Sequence, residues 1–212
     1  MKELAPVYLI TDRKAAPPGA FLGALKAALS GGIRLLQLRE KDLPATELLG
    51  LAREVRGLAS GYGAKLLIND RADIAAISGA DGVHLTSRSY AASRARELLG
   101  PGKLIGVSTH SLEEAMEAEA GGADFVTFGP VFHTPSKAEY GEPLGTGKLK
   151  EAAAALSIPV YALGGLNKEN LREAVGAGAR IAVISAIMGS PDTELATREL
   201  IGKALACRQT TE

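Results

Sequence analysis

Cysteine is nearly absent from this chain: of 212 residues only Cys207 carries a thiol. An intramolecular disulfide is therefore excluded, as is a metal cluster built on several thiolates, and a reducing compartment fits. An excess of charge of one sign is missing too, since Lys and Arg number 24 and Asp and Glu number 24, a formal net charge of +0. Nothing in that balance recommends a nucleic acid or a membrane surface as partner. No apolar stretch reaches the length of a membrane-spanning helix. The start, Met1-Lys-Glu-Leu-Ala-Pro6, lacks the charged, apolar and small-residue parts of a secretory signal, so the cytoplasm is the expected location. No linker-like composition divides the chain, and no Gly-x-Gly-x-x-Gly follows the first apolar run, which removes the usual mark of dinucleotide binding. A small molecule remains as the expected ligand.

What is present is an alternation of short apolar runs with segments of helical spacing. Residues 7–12 read as a strand, and Phe21, Leu22, Leu25, Ala28 and Leu29 mark the helix after it. The pattern repeats through strands at 34–40, 65–70, 82–86 and 104–110 and helices at 46–58, after Arg71, and at 90–99. Ser111 with Glu114 has the spacing of a capping box for a helix running to Gly121. A strand from Phe125 stops at Gly129-Pro130, and the rest reads as helix 148–156, strand 159–165, an Asn167-capped helix to Gly176, strand 180–187 and helix 191–206. Eight such units with apolar strands predict a parallel sheet covered by helices and closed on itself, an α/β single-domain (β/α)8 TIM barrel over residues 1–212. A doubly wound open sheet is the competing architecture.

In a parallel barrel every strand ends on one rim, where the active sites of this fold lie. Those ends supply Asp12, Gln37, Arg39, Glu40, Lys41, Asn69, Asp70, His84, Thr86, Ser108, Thr109 and His110, and further on Thr134, Ser136, Lys137, Gly164, Gly165 and Ser185. Cations, hydroxyls and a carboxylate beside an amide describe a site for a polyanion with a hard metal. Arg39 and Lys41 share one strand end where Glu40 needs only one partner, which speaks for function. Thr134, Ser136 and Lys137, stiffened by Pro135, suit an oxyanion, although the same composition also makes an ordinary solvated connector. Gly164-Gly165 and Ile184-Ser185 stand where barrels hold phosphate on backbone N–H groups, with plain turn glycines as the alternative. Asp70 among oxygen donors suits Mg²⁺. His84, flanked by Val83 and Leu85, reads as a hydrogen-bonded barrel histidine, whereas His110 at a helix start could move a proton.

Taken together, Tyr8-Leu-Ile-Thr-Asp12, Gln37-Leu-Arg-Glu-Lys-Asp42, Ile68-Asn-Asp-Arg71, Asp81-Gly-Val-His-Leu85, Gly106-Val-Ser-Thr-His-Ser111, Gly129-Pro-Val-Phe132, Thr134-Pro-Ser-Lys137, Gly164-Gly165 and Ile184-Ser-Ala-Ile187 resemble the thiamine phosphate synthase family. The resemblance implies a transferase of thiamine biosynthesis that joins an aminopyrimidine diphosphate to a thiazole phosphate and releases pyrophosphate. It implies that Gln37, Leu38, Arg39, Glu40, Lys41, Asn69, Ser108 and Lys137 bind the pyrimidine diphosphate, that Asp70 holds Mg²⁺, and that Thr134, Ser136, Gly165, Ile184 and Ser185 hold the thiazole phosphate. Arg39, Lys41 and Lys137 would be catalytic by stabilising charge as pyrophosphate leaves.

The chain departs from the pattern after Val83-His-Leu85. Where synthases usually continue Gly-Gln-Glu-Asp and end on a second Mg²⁺ ligand, this chain has Thr86-Ser-Arg-Ser89, so Ser89 is expected at the ligand position and as a weaker ligand. Ser111-Leu-Glu-Glu-Ala115 and the segment Tyr140-Gly-Glu-Pro-Leu-Gly145 lean towards the sister branch, the thiazole tautomerases, in which the residue at His110 carries a proton. A third reading is a barrel that binds thiamine phosphate without turnover. A homodimer is the default expectation for a small barrel.

Overall fold

Why eight short apolar runs become one closed sheet follows from their two faces. The computed structural model describes residues 4–134 and 142–209. Its strands are β1 (Val7–Ile10), β2 (Leu35–Leu38), β3 (Lys65–Asn69), β4 (Gly82–Leu85), β5 (Leu104–Thr109), β6 (Phe125–Phe128), β7 (Val160–Ala162) and β8 (Arg180–Val183). Neighbours pair in parallel in chain order, and the sheet closes where β1 meets β8, with Tyr8 opposite Ala182. Both faces of each strand are covered, so the strands read as continuous apolar runs, yet alternate residues still point opposite ways. Val7, Leu9, Leu36, Leu38, Ile68, Val83 and Val126 join the layer between sheet and helices, while Tyr8, Ile10, Leu35, Leu67, Leu104, Phe125, Tyr161 and Ala182 fill the barrel. The expected (β/α)8 barrel is the fold found, and the open-sheet alternative is set aside.

The outer ring consists of α1 (Phe21–Ser30), α2 (Ala45–Gly61), α3 (Ala72–Ser78), α4 (Ala92–Leu99), α5 (Leu112–Ala120), α6 (Gly145–Ala155), α7 (Leu171–Gly176), α8 (Ser185–Met188) and α9 (Thr193–Gln209). Leu25, Ala28 and Leu29 of α1, and Leu48, Ala52, Val55 and Ala59 of α2, are the buried stripes that dock onto the strands. The cap expected for α5 forms: Ser111 Oγ accepts from the Glu114 N–H at 3.2 Å. Two expectations are corrected. Asn167 does not cap α7; its side chain accepts from the N–H groups of Glu169 and Asn170 in a turn of its own, which delays the helix to Leu171. The last strand stops at Val183 rather than at 187, because the chain turns at Ile184 and residues 185–188 coil into α8. A short apolar run does not by itself distinguish the two conformations.

The lumen is packed by large residues set against small ones. The rings of Tyr8, Phe125 and Tyr161 meet edge-on at centroid separations of 5.3 to 5.7 Å, a geometry worth about 0.5–1.5 kcal/mol per pair beyond the area buried. Gly82 and Gly106 are the inward small residues that make room: a Cβ on Gly82 would overlap the Leu104 carbonyl oxygen. At the closed end, Asp81 and Asp124 cap strand edges by accepting from the N–H groups of Leu66 and Ile105, each at 2.8 Å, with Arg56 and Arg96 as cationic partners. Asp81 of the Asp-Gly-Val-His-Leu segment thus serves the floor of the barrel and not its mouth. Gly82→Ala should therefore destabilise the fold by about 3 kcal/mol or more in urea unfolding, since backbone is what its methyl would meet.

Candidate active site

The upper half of the lumen is polar, and its groups form one chain of hydrogen bonds. Gln37 of β2 donates from Nε2 to Tyr8 Oη at 2.9 Å, Tyr8 Oη lies 3.2 Å from His84 Nδ1, and His84 Nε2 lies 2.9 Å from Ser108 Oγ at the end of β5. Because an amide nitrogen only donates, Tyr8 accepts from Gln37 and its single proton goes to His84 Nδ1. The proton of the imidazole then sits on Nε2 and is donated to Ser108 Oγ. Thr127 Oγ1 donates to the same oxygen at 3.4 Å, which leaves the Ser108 hydroxyl proton for an acceptor at the mouth.

Burial holds the phenol of Tyr8 well above its ordinary range and so keeps it a donor. Burial, and then the charge of Arg39, lowers His84 to about 3, so the imidazole stays neutral and the direction of the chain is fixed. Gly106 gives that ring its place, since a Cβ there would come within 2.5 Å of His84 Nδ1. Composition signalled none of this. Tyr8 and Thr127 were missed as site-supporting residues, although strand alternation puts them on the same inner face as Gln37 and His84.

At the rim, the relation among the charged residues after β2 differs from the one expected. Glu40, expected on substrate, is buried and fully engaged: it accepts from Thr11 Oγ1 at 2.7 Å, from the Arg13 N–H at 3.1 and 3.2 Å, and from the Arg13 guanidinium at 3.4 Å. The same Thr11 hydroxyl accepts from the Arg39 N–H at 2.9 Å. Glu40 therefore ties the end of β1 to the end of β2. Its cationic partner is Arg13, which lies 27 residues away in sequence and was not singled out as a partner. Arg39 is left half-buried, with no ion pair to any described carboxylate. Leu38, also expected on substrate, points into the layer between sheet and helices, so it offers no side chain to the mouth.

Asp70 follows β3 with φ of 59°, the only non-glycine residue with a positive φ among the described residues. Short polar side chains tolerate this conformation, which here turns the carboxylate towards the loop after β4. Ser89, expected beside Asp70 as a metal ligand, donates its hydroxyl proton to Asp70 Oδ1 instead. Its oxygen accepts from the Thr86 N–H at 2.8 Å and lies 3.0 Å from Thr86 Oγ1. Asn69, half-buried at the end of β3, stands beside this pair. Arg71 pairs with Asp73 at 2.6 Å and is turned to that partner. Among the described residues no three His, Cys, Asp or Glu side chains gather as a metal site.

On the opposite side the loop after β6 leans on the turn after β7. The N–H groups of Val131 and Phe132 donate to the carbonyls of Leu163 and Gly164 at 2.9 and 3.1 Å. Gly164 and Gly165 both have positive φ, and a Cβ on either would strike this loop at Pro130 or Phe132. Thr134 is half-buried at the end of the described part of the loop; Ser136 and Lys137 lie outside the described residues. Ile184 precedes α8 and Ser185 opens it, exposed at the rim. His110 Nδ1 is 3.3 Å from Glu114 Oε2, which also accepts the His110 N–H at 2.7 Å. The imidazole is thus directed to the start of α5.

A closed parallel barrel whose C-terminal rim carries, among the described residues, a guanidinium without an ion pair, a carboxylate and a glycine turn has the form of the (β/α)8-barrel enzymes. The family model described as thiamine monophosphate synthase matches residues 7–187. A putative thiamine-phosphate synthase of Geobacter sulfurreducens is 54% identical, covering 92% of this chain and 92% of that protein. A thiamine-phosphate synthase of Roseiflexus sp. is 42% identical over 92% of this chain and 83% of its own length. The structure titled thiamine phosphate pyrophosphorylase from Pyrococcus furiosus superposes with a TM-score of 0.86 and 38% identity, covering 95% of this chain and 96% of that one. The chain belongs to the thiamine monophosphate synthase family, and the expectation of a transferase of thiamine biosynthesis is borne out. No described helix is long and apolar enough to cross a membrane.

The state of His84 has a measurable consequence. Its folded pKa lies below the unfolded value, so between about pH 3 and about 6.5 the unfolded chain binds a proton that the native state refuses, and stability rises with pH across that window. His84→Asn should flatten the pH dependence of urea-unfolding free energy there by up to about 1.4 kcal/mol per pH unit, with no change above pH 7.

Proposed function

We propose that this chain joins an aminopyrimidine methyl diphosphate to a thiazole phosphate, giving thiamine phosphate and pyrophosphate. The observation that carries the reading is the freedom of Arg39: with Glu40 taken by Thr11 and Arg13, a half-buried guanidinium at the barrel mouth keeps its charge for an anion. Ionisation breaks the bond between the methylene carbon and the diphosphate oxygen, and the electron pair leaves with pyrophosphate. Arg39 and Lys41 neutralise that leaving group, joined by Lys137. Ser108 donates its hydroxyl proton to the same anion, because His84 and Thr127 already fill the acceptor side of its oxygen. Gln37 and Asn69 border the pyrimidine from β2 and β3. The thiazole nitrogen then attacks the pyrimidine-stabilised methylene cation and closes the new carbon–nitrogen bond. Thr134, Gly165, Ile184 and Ser185 hold the thiazole phosphate, with Ser136 as a further hydroxyl.

The Asp70 carboxylate, a hard oxygen donor, would be the residue to hold Mg²⁺. When bound, Mg²⁺ supplies charge neutralisation for the diphosphate. A second reading, the thiazole tautomerase, draws on the carboxylate-oriented imidazole of His110, which could carry a proton between ring positions. The two separate in one assay with both substrates and Mg²⁺, followed for pyrophosphate and for thiazole isomerisation. Pyrophosphate release with thiamine phosphate formation is expected. Isomerisation without pyrophosphate would replace the synthase reading, and saturable binding of thiamine phosphate without turnover would make the barrel a binding protein. Arg39→Ala should lower the rate of pyrophosphate release by about 100-fold or more while the circular dichroism spectrum is retained.

A further inference from the structure

The surroundings of Asp70 carry a consequence for how a cation reaches the mouth. A free divalent ion binds a protein tightly when several anionic oxygens already converge, and Mg²⁺ in particular keeps most of its water unless they do. Among the described residues no three such groups converge at Asp70. The next acidic side chain along the chain, Asp73, is engaged by Arg71 at 2.6 and 2.8 Å. The oxygen that touches Asp70 is an uncharged hydroxyl, and both of its acceptor positions are directed at Thr86: the Thr86 N–H at 2.8 Å and Thr86 Oγ1 at 3.0 Å, the latter itself accepting from the Arg88 N–H at 3.3 Å. The Ser89 proton goes to Asp70 Oδ1. Ser89 therefore has no lone pair to offer a metal. It occupies one carboxylate oxygen and orients the other.

We infer that Ser89 is a positioning residue for Asp70, not a metal ligand, and that this chain takes up its divalent cation only together with the diphosphate. The inference rests on the reading of the mouth as a diphosphate site. Among the described residues it is the other Asp70 carboxylate oxygen that is presented to a hydrated ion. A diphosphate held by Arg39 adds the further anionic oxygens, so cation and diphosphate tighten each other's binding by the same factor. The Thr86–Ser89 turn gives a seat whose occupancy follows the substrate instead of the free Mg²⁺ level.

Calorimetry with two probes tests this without catalysis. MgCl₂ titrated alone into the full-length protein should give no saturable binding up to about 10 mM. Pyrophosphate should bind in the presence of Mg²⁺ and at least about tenfold more weakly in EDTA. Ser89→Asp should create saturable Mg²⁺ binding in the absence of pyrophosphate. Asp70→Asn, whose side chain tolerates the same positive φ, should leave metal-free pyrophosphate binding in place and abolish its enhancement by Mg²⁺. Saturation of the wild-type protein by Mg²⁺ alone, or equal pyrophosphate affinity with and without Mg²⁺, would overturn the inference while leaving the synthase reading standing. No pyrophosphate binding under either condition would remove the diphosphate site itself, and the inference with it.

Discussion

Closure of the sheet, where β1 hydrogen-bonds to β8, is the constraint on which everything else depends. Once eight parallel strands form a ring, their C-terminal ends must share one rim and their inward side chains must share one narrow lumen. Residues as far apart in the chain as Tyr8, Gln37, His84 and Ser108 then stand within hydrogen-bond distance. The lumen imposes its own chemistry: it is dry, so each polar group needs a partner, and no buried side-chain N or O atom among the described residues lacks one. A one-directional chain of donors satisfies that need and ends on Ser108 at the mouth. The bonds that satisfy the buried polar groups thus also orient the Ser108 hydroxyl at the mouth.

The rim works on a different balance, between charges that are consumed and charges that are left over. Arg13, Glu40 and Asp42 form a network, with Arg13 and Lys14 holding the Asp42 carboxyl below its ordinary range. That network joins two strand ends and leaves Arg39 unspent. On the neighbouring strands the opposite has happened to Asp70, whose single carboxylate is held by a hydroxyl that brings no charge. Among the described residues a guanidinium without an ion pair and a carboxylate that accepts from a hydroxyl thus follow adjacent strands at the mouth.

Much of the architecture was legible in the chain. The alternation of apolar runs and helical stripes gives eight strand-helix units, and counting them decides between a closed barrel and an open sheet. The capping pair Ser111 and Glu114 was equally readable, because its partners are three residues apart and the bond is local. Where reading failed, it failed in two ways. Glu40 looked like a partner for its neighbours Arg39 and Lys41, but it is held by Thr11 and Arg13, just after β1. Asn167 looked like a helix cap but closed a turn, and residues 184–187 looked like more strand but include the start of a helix. For Glu40 the deciding contact lay outside the window in which the pattern was read; for Asn167 and residues 184–187 it lay inside, where one short pattern suits both a turn and a cap, or both a strand and a helix.

The chain by itself determined the strand count, the inward and outward faces, and the family to which the protein belongs, because periodicity and ordered motifs are properties of neighbouring residues. Only the tertiary structure decided which polar groups are spent on holding the barrel together and which remain for a ligand. That division is set by distances across the ring: Glu40 to Arg13, Tyr8 to His84, Ser89 to Asp70. Such distances exist only once the sheet has closed, since hydrogen bonds and ion pairs fall away within a few ångströms and separation along the chain does not report them.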